Sequence, residues 1–178
     1  QVIKVERPDN LTEIPAFWPW GEKEPEISRK RRAAKFLQFN CNKQSLACDY
    51  TNPEGRKILL ELTRKADVMV EGFRPGIMEE LGLGFKKLSQ SNPGLIYCSI
   101  SGYGQNGPLA QYPAHDLNIQ GMSGLLALNN KADDPGISGA PMADVLSGHH
   151  AAIAILLALF SRNQNRGRGQ HLDISMLD

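Results

Sequence analysis

The stretch Leu95-Ile96-Tyr97-Cys98-Ser99-Ile100 is a continuous, mainly apolar run of strand length, and a glycine-rich loop follows it directly. Such a run is typical of a parallel strand that is covered on both faces. Two further strand-like runs, residues 67–71 and 170–175, are separated from it by segments with helical spacing. Because strands alternate with helices, the pattern predicts an α/β fold with a mainly parallel sheet.

The remaining elements extend this pattern in both directions. Strands are predicted at 2–6 and 44–49, and loops at 8–36, 101–108 and 129–141. Helices are predicted from the Asn52-Pro53-Glu54-Gly55 start through Lys65, and at 76–81, 85–91, 115–128 and 144–162. Residues 151–160 of the last helix are apolar on nearly all sides, which predicts burial in a core or an interface.

Composition sets limits on the class of protein. The chain has 178 residues, 41% of them hydrophobic, and a formal charge of +1, which suits one core and gives no strong field for nucleic acid or anionic membrane. Cys41, Cys48 and Cys98 lack metal-ligand spacing, so we expect reduced thiols in the cytoplasm or an organellar matrix, mitochondrial or peroxisomal. No stretch approaches 18 uninterrupted apolar residues, so no membrane span is expected.

Two local motifs suggest binding sites that the wider sequence does not favour. The basic run Arg29-Lys30-Arg31-Arg32 is more typical of a solvated helix face than of nucleic-acid recognition, because net charge is near zero and no aromatics interleave with it. The loop Gly102-Tyr103-Gly104-Gln105-Asn106-Gly107 matches a loose dinucleotide-binding pattern, but Pro108 and Pro113 stop a helix from opening on its last glycine. A close approach of backbone to a ligand is the favoured interpretation of this loop.

Three polar residues stand where chemistry is expected. His115 and Asp144 each begin an apolar, helix-like segment, and an imidazole and a carboxylate that face one pocket form an acid/base pair near neutral pH. The alternative is that each is only a helix-start residue. Arg74 directly follows a strand, where ligands dock in open α/β sheets, and its guanidinium suits a phosphate. The alternative there is an exposed loop arginine.

Several segments together resemble the family III CoA-transferases of the CaiB/BaiF type, a superfamily that includes formyl-CoA transferase, carnitine CoA-transferase and α-methylacyl-CoA racemase. The similar stretches, in the family's order, are 2–8, 39–43, 66–76, 92–97, 101–105 and 167–177. The resemblance implies a Rossmann-like large domain in an interlocked homodimer. Residues 1–178 would then be a partial large domain that binds CoA and carries the catalytic residues. We expect a first strand–helix unit, the true N-terminus, the small domain and a C-terminal return segment to lie outside this sequence.

The resemblance also implies which residues bind CoA. They are Arg7, near the adenosine end, and Phe73 and Arg74 in the turn after the strand at 67–71. Relatives often carry asparagine at the position of Gly72 and arginine at that of Glu80, so those two contacts are not transferred. A CoA thioester is the expected substrate, with no permanently bound cofactor, no metal, and neither nucleic acid nor membrane as a partner.

The reaction depends on how Asp144 is used. In the transferases the matching aspartate resembles a nucleophile that forms an aspartyl-CoA thioester, and in the racemases it acts as an acid/base. His115 followed by Asp116 is racemase-like, and Asp116 is expected to orient the ring or cap the helix. We therefore predict 1,1-proton transfer by His115 and Asp144 on an acyl-CoA. The alternatives are CoA transfer to a carboxylic acid, favoured by a transferase-like Gln120, and a non-catalytic CoA-binding module.

Overall fold

The structure is a computed structural model that describes residues 1–8, 39–129, 136–137 and 139–178. The basic run at 29–32, nearly all of the predicted 8–36 loop and most of the 129–141 loop lie outside the described residues. The chain divides into two compact units, Gln1–Lys57 and Ile58–Asp178. Each is described by itself below.

The first unit contains a parallel pair of strands, β1 (Ile3–Glu6) and β2 (Gln44–Ala47), in which Ile3 pairs with Gln44. Helix α1 (Pro53–Lys65) begins here, with proline in its first turn as predicted. A side chain at Gly55 would meet the Asp49 carbonyl oxygen at 1.9 Å, so only glycine fits this close approach.

The second unit is built around a three-stranded parallel sheet in the order β3-β4-β5. Strand β4 (Ile96–Ser101) is central and buried along nearly its whole length, as the sequence predicts. Its neighbours are β3 (Val68–Glu71) and β5 (His171–Ser175). Helices α2 (Ile77–Glu80) and α3 (Phe85–Ser91) connect β3 to β4, and helices α4 (Asp116–Met122), α5 (Leu125–Asn129) and α6 (Met142–Gln164) connect β4 to β5. The α/β class and the parallel pairing are confirmed.

One predicted helix is divided in the structure. Residues 115–128 form two helices, α4 and α5, rather than one, because Gly124 adopts a left-handed φ of 79° between them. A right-handed helix cannot continue through that conformation. Helix α6 also begins at Met142, so Asp144 lies inside its first turn instead of at its start.

Helix α6 buries only a narrow stripe of small residues. It packs on β4 and β5, and its buried residues are Ala143, Ser147, Ala151 and Ala158. Its large apolar side chains are exposed in this chain, among them Leu156 at 66% and Phe160 at 67%. The core alternative of the prediction is therefore wrong, and burial in an interface stays a prediction. Within the described residues it is also the one helix long and apolar enough to cross a membrane, on length and composition only.

Candidate active site

The candidate site lies where β3 and β4 end. Parallel strands place their carboxyl ends at one edge of a sheet, and the 72–76 turn leaves β3 there while the 102–108 glycine loop leaves β4. The side-chain amide of Gln111 donates to the Pro75 carbonyl at 3.1 Å and so joins the two connections. The predicted CoA-binding turn and the segment that leads into His115 are therefore neighbours, and Gln111 is a residue that sequence reasoning missed.

His115 immediately precedes α4 in an extended backbone conformation. Its backbone N–H donates to the Asn118 side-chain oxygen at 2.6 Å, and the Asn118 amide donates back to the Pro113 carbonyl at 3.2 Å. These bonds fix the chain at the point where it enters α4. The His115 residue itself is exposed, as a group that meets a substrate has to be.

Asp116 connects the two helices that carry the predicted catalytic residues. One carboxylate oxygen accepts the backbone N–H groups of Ala143 at 2.7 Å and Asp144 at 3.1 Å. These are the second and third residues of α6, whose N–H groups have no partner within the helix. The residue before α6 is Pro141, which offers no side-chain acceptor. Asp116 therefore caps α6 from a neighbouring helix, rather than its own helix α4.

Gln120 holds this carboxylate from the other side. Its amide donates to the second Asp116 oxygen and, at 3.3 Å, to the Ala140 carbonyl just before α6. Gln120 is 1% exposed, and within the part of the chain that the structure describes its side-chain oxygen has no hydrogen-bond partner. The two hydrogen bonds from the Gln120 amide tie Asp116 to the Ala140 carbonyl and so restrain the start of α6.

Asp144 is exposed in the first turn of α6. The helix dipole favours negative charge at this position, and the backbone of Asp144 is held by Asp116, the residue after His115. The fold thus brings the beginnings of α4 and α6 together, as the prediction of a shared site for His115 and Asp144 requires.

The three predicted CoA-binding residues fall into two places. Phe73 and Arg74 are exposed in the turn after β3, beside the segments just described. Arg7 follows β1 in the other compact unit, where its charge acts on Asp49. Hydrogen bonds from Thr51 are the main cause of the lowered pKa of Asp49, and Arg7 contributes less.

Gly102 permits a close approach behind this site. A side-chain carbon at this position would lie 2.0 Å from the Cβ of Ala114, the residue before His115. No side chain fits there unless one of the two segments moves. The first glycine of the loop therefore serves packing between β4 and the His115 segment.

Replacing Gly102 by alanine should lower the free energy of unfolding by about 1–3 kcal/mol, as overpacking usually does. The matched control is Gly121→Ala in α4, where the added carbon would meet the nearest heavy atom, in Leu126, at an ordinary 3.8 Å. Chemical denaturation of both variants measures the difference. Equal stabilities would show that the Ala114 contact relaxes without cost.

A buried carboxyl group lies next to the predicted CoA-binding turn. Glu71, the last residue of β3, is 9% exposed, and burial raises its pKa above the ordinary 4.5. Hydrogen bonding from Ser99 and from the Phe73 N–H, and the charge of His171, lower the pKa of Glu71 and so oppose this shift. The negative charge of Glu79 raises it further. Burial and the Glu71 charge likewise raise the pKa of Tyr97 and, to about 11, that of Cys98.

The stability of the protein should therefore depend on pH through Glu71. Between the unfolded and the higher folded pKa the folded state binds more protons, so the Glu71 contribution falls as pH rises above about 4.5. Glu71→Gln cannot titrate. The unfolding free energy of wild type minus that of the variant should decrease from pH 4 upward and then level off. Parallel pH profiles would contradict the raised pKa.

Comparison with known proteins shows the family to which the chain belongs. The sequence model of CoA-transferase family III matches residues 1–178. The chain belongs to CoA-transferase family III. An acetyl-CoA:oxalate CoA-transferase from Acetobacter aceti is 36% identical over 100% of this chain and 44% of its own length. A succinate–glutarate CoA-transferase from Agrobacterium fabrum is 37% identical over 99% of this chain and 44% of its own.

Solved structures of similar sequence have the same fold as this chain. A CaiB/BaiF family protein from Brucella suis superposes with a TM-score of 0.85 at 36% identity, covering 99% of this chain and 46% of that one. A Mycobacterium tuberculosis protein gives 0.86 at 34% identity, covering 100% and 48%. The family III fold class is confirmed, and the chain spans about half the length of the relatives it matches.

Proposed function

We propose that the whole protein is a CoA-transferase that moves CoA from an acyl-CoA to a carboxylic acid, with Asp144 as the nucleophile. The observation that carries the proposal is the anchoring of Asp144. Asp144 is an exposed residue in the first turn of α6, the start of α6 is held by Asp116, and Asp116 is held in turn by Gln120. Family membership and the CoA-transferase names of the relatives support the same reaction.

The proposed steps conserve the substrates' atoms without an external proton. The Asp144 carboxylate attacks the acyl carbonyl and the C–S bond breaks. The products of this step are a mixed anhydride on Asp144 and the CoA thiolate. The thiolate then attacks the Asp144 carbonyl, which forms an aspartyl-CoA thioester and releases the first carboxylate. The acceptor carboxylate repeats the sequence in reverse, so that the new acyl-CoA leaves and Asp144 is regenerated. Each hard acyl exchange is divided into two easier steps.

Binding roles follow from position in the fold. Phe73 and Arg74 are proposed to hold CoA at the sheet edge, where Arg74 suits a phosphate. Arg7 of the first unit is a CoA-binding residue by the family resemblance and stays a separate prediction. The exposed apolar face of α6 is proposed to be covered in a homodimer. The buried, reduced Cys48 and Cys98 are in keeping with a cytoplasmic or organellar compartment.

Racemase-type proton transfer is the second candidate. It was the first choice from sequence, on the basis of His115, and it finds no support in the names of the relatives described above. One observation favours it. The Asp144 backbone N–H donates to Asp116, which directly follows His115 in the chain. On this mechanism His115 and Asp144 would exchange the α-proton of a thioester from opposite faces.

One experiment distinguishes the two reactions. The full-length protein is incubated in deuterated water with a 2-methylacyl-CoA, and separately with acyl-CoA donors and a panel of dicarboxylic acids. Transfer without α-proton exchange supports the proposal, and His115→Phe should then keep transfer within about tenfold, because an acid/base residue is not required. Exchange that is lost in His115→Phe, without any transfer, would instead establish the racemase.

A further inference from the structure

The sheet face beneath the CoA-binding turn carries a row of polar side chains across all three strands. Glu71 of β3 pairs with Ser99 of β4, and Ser99 pairs with Asp173 of β5, which places their side chains on one face. His171, two residues before Asp173, shares that face. Its Nε2 lies 2.9 Å from the Ser99 hydroxyl oxygen.

The hydrogen bonds of this row have one direction when Glu71 is ionised. Ser99 lies beside Glu71 in the β3–β4 pair and favours the ionised form of Glu71 as a hydrogen-bond donor, since a carboxylate can only accept. With its proton turned toward Glu71, the Ser99 oxygen accepts from His171 in the tautomer that carries hydrogen on Nε2. At the β3 end of the row, Glu71 Oε2 accepts a hydrogen bond from the backbone N–H of Phe73 at 2.8 Å. The donors are thus ordered toward Glu71: His171 toward Ser99, Ser99 toward Glu71, and the Phe73 N–H to Glu71 itself.

At the β5 end of the row, the His171 ring packs against two aromatic rings. The His171 ring stacks on Phe85 of α3 with centroids 5.4 Å apart, and Tyr97 meets it edge-on at 5.2 Å. Ser99 is 1% exposed and Glu71 is 9% exposed, so neither is available as a nucleophile or a ligand group. A buried carboxyl whose ionisation opposes folding is more often kept for a function than for stability.

We propose that Glu71 is a positioning residue for CoA, which fixes the Phe73-Arg74 turn through the Phe73 N–H and is itself held by Ser99 and His171. The inference rests on the proposed function, since it takes that turn as the CoA site. It predicts an effect on CoA affinity that is separate from the chemistry at Asp144. Glu71 touches neither CoA nor the reacting atoms in this account.

The test is calorimetric titration of the full-length protein with CoA, together with steady-state transfer kinetics. Glu71→Ala should weaken CoA binding roughly tenfold, the size expected for losing one hydrogen bond to a charged acceptor. KM for the acyl-CoA should rise in parallel while kcat stays within about twofold. Glu71→Gln should recover most of the affinity, because its amide oxygen still accepts from Phe73.

Two further variants keep the test decisive. Ser99→Ala should weaken CoA binding about threefold, by removing one holder of Glu71, and it answers the question if Glu71→Ala does not fold. Glu61→Gln, an exposed carboxyl of α1 that pairs with Arg64, is the matched control and should bind as wild type does.

The outcomes separate the inference from the proposed function. Wild-type affinity in both Glu71→Ala and Ser99→Ala, or a fall in kcat with unchanged KM, overturns the positioning role and leaves the transferase intact. If CoA binds and the Glu71 variants weaken it, but no transfer is found, the positioning role stands and the reaction is wrong. A wild-type protein that does not bind CoA overturns both.

Discussion

Asp144→Ala and Asp144→Asn should each lower the rate of CoA transfer at least about a thousandfold, because both remove the carboxylate that attacks the acyl carbonyl. Asparagine is the sharper change. It keeps the volume of the side chain and the backbone N–H that Asp116 accepts, so α6 should begin as in wild type. Steady-state transfer from a labelled acyl-CoA to a dicarboxylic acid measures the effect.

The control for this prediction is binding. Asp144→Asn should bind CoA within about twofold of wild type, since Asp144 is not one of the proposed CoA-binding residues, and it should unfold at a similar temperature. A variant that retains more than about a tenth of the wild-type transfer rate would show that Asp144 is not the nucleophile.

Asp116→Ala should lower kcat by about 10- to 100-fold with little change in KM, because a small displacement of a reacting group is enough to cost that much. The substitution leaves the N–H groups of Ala143 and Asp144 without their acceptor. Loss of a helix cap should also reduce stability by about 1–2 kcal/mol. Transfer kinetics and chemical denaturation measure the two effects independently.

Asp116→Asn should rescue both properties to a large extent. Its amide oxygen can still accept from the start of α6, and its NH₂ group would face Gln120. Among the described residues the Gln120 side-chain oxygen has no partner, so rotation of that amide would turn this oxygen toward the new NH₂ group as an acceptor. Glu61→Ala serves as a carboxylate control away from the site. The cap would be irrelevant to catalysis if Asp116→Ala kept wild-type kcat, or if Asp116→Asn were as impaired as alanine.

The sheet was predictable because its strands carry strong local signals. The run around Tyr97 is mainly apolar, as is typical of strands covered on both faces. The division between α4 and α5 was missed because Gly124 lies among residues of good helical spacing, and only its left-handed backbone reveals the break. Isolated glycines inside a helical pattern are ambiguous in a sequence.

The site was predictable in its residues but not in its connections. His115 and Asp144 were visible as polar residues at the starts of apolar segments. The bond from Asp116 to α6 joins residues far apart in the chain, and no local pattern indicates that Pro141 leaves the helix without its own cap. Glu71 likewise has the sequence context of a polar strand end, and only the folded chain shows that it is buried.

The proposed mechanism is tested most directly by mass spectrometry of the full-length enzyme mixed with an acyl-CoA and quenched in acid within one turnover. The mechanism predicts a mass increase equal to CoA less one water, located on the peptide that contains Asp144 and absent from Asp144→Asn. An actively transferring enzyme with no such adduct, or with one on a different residue, would contradict it.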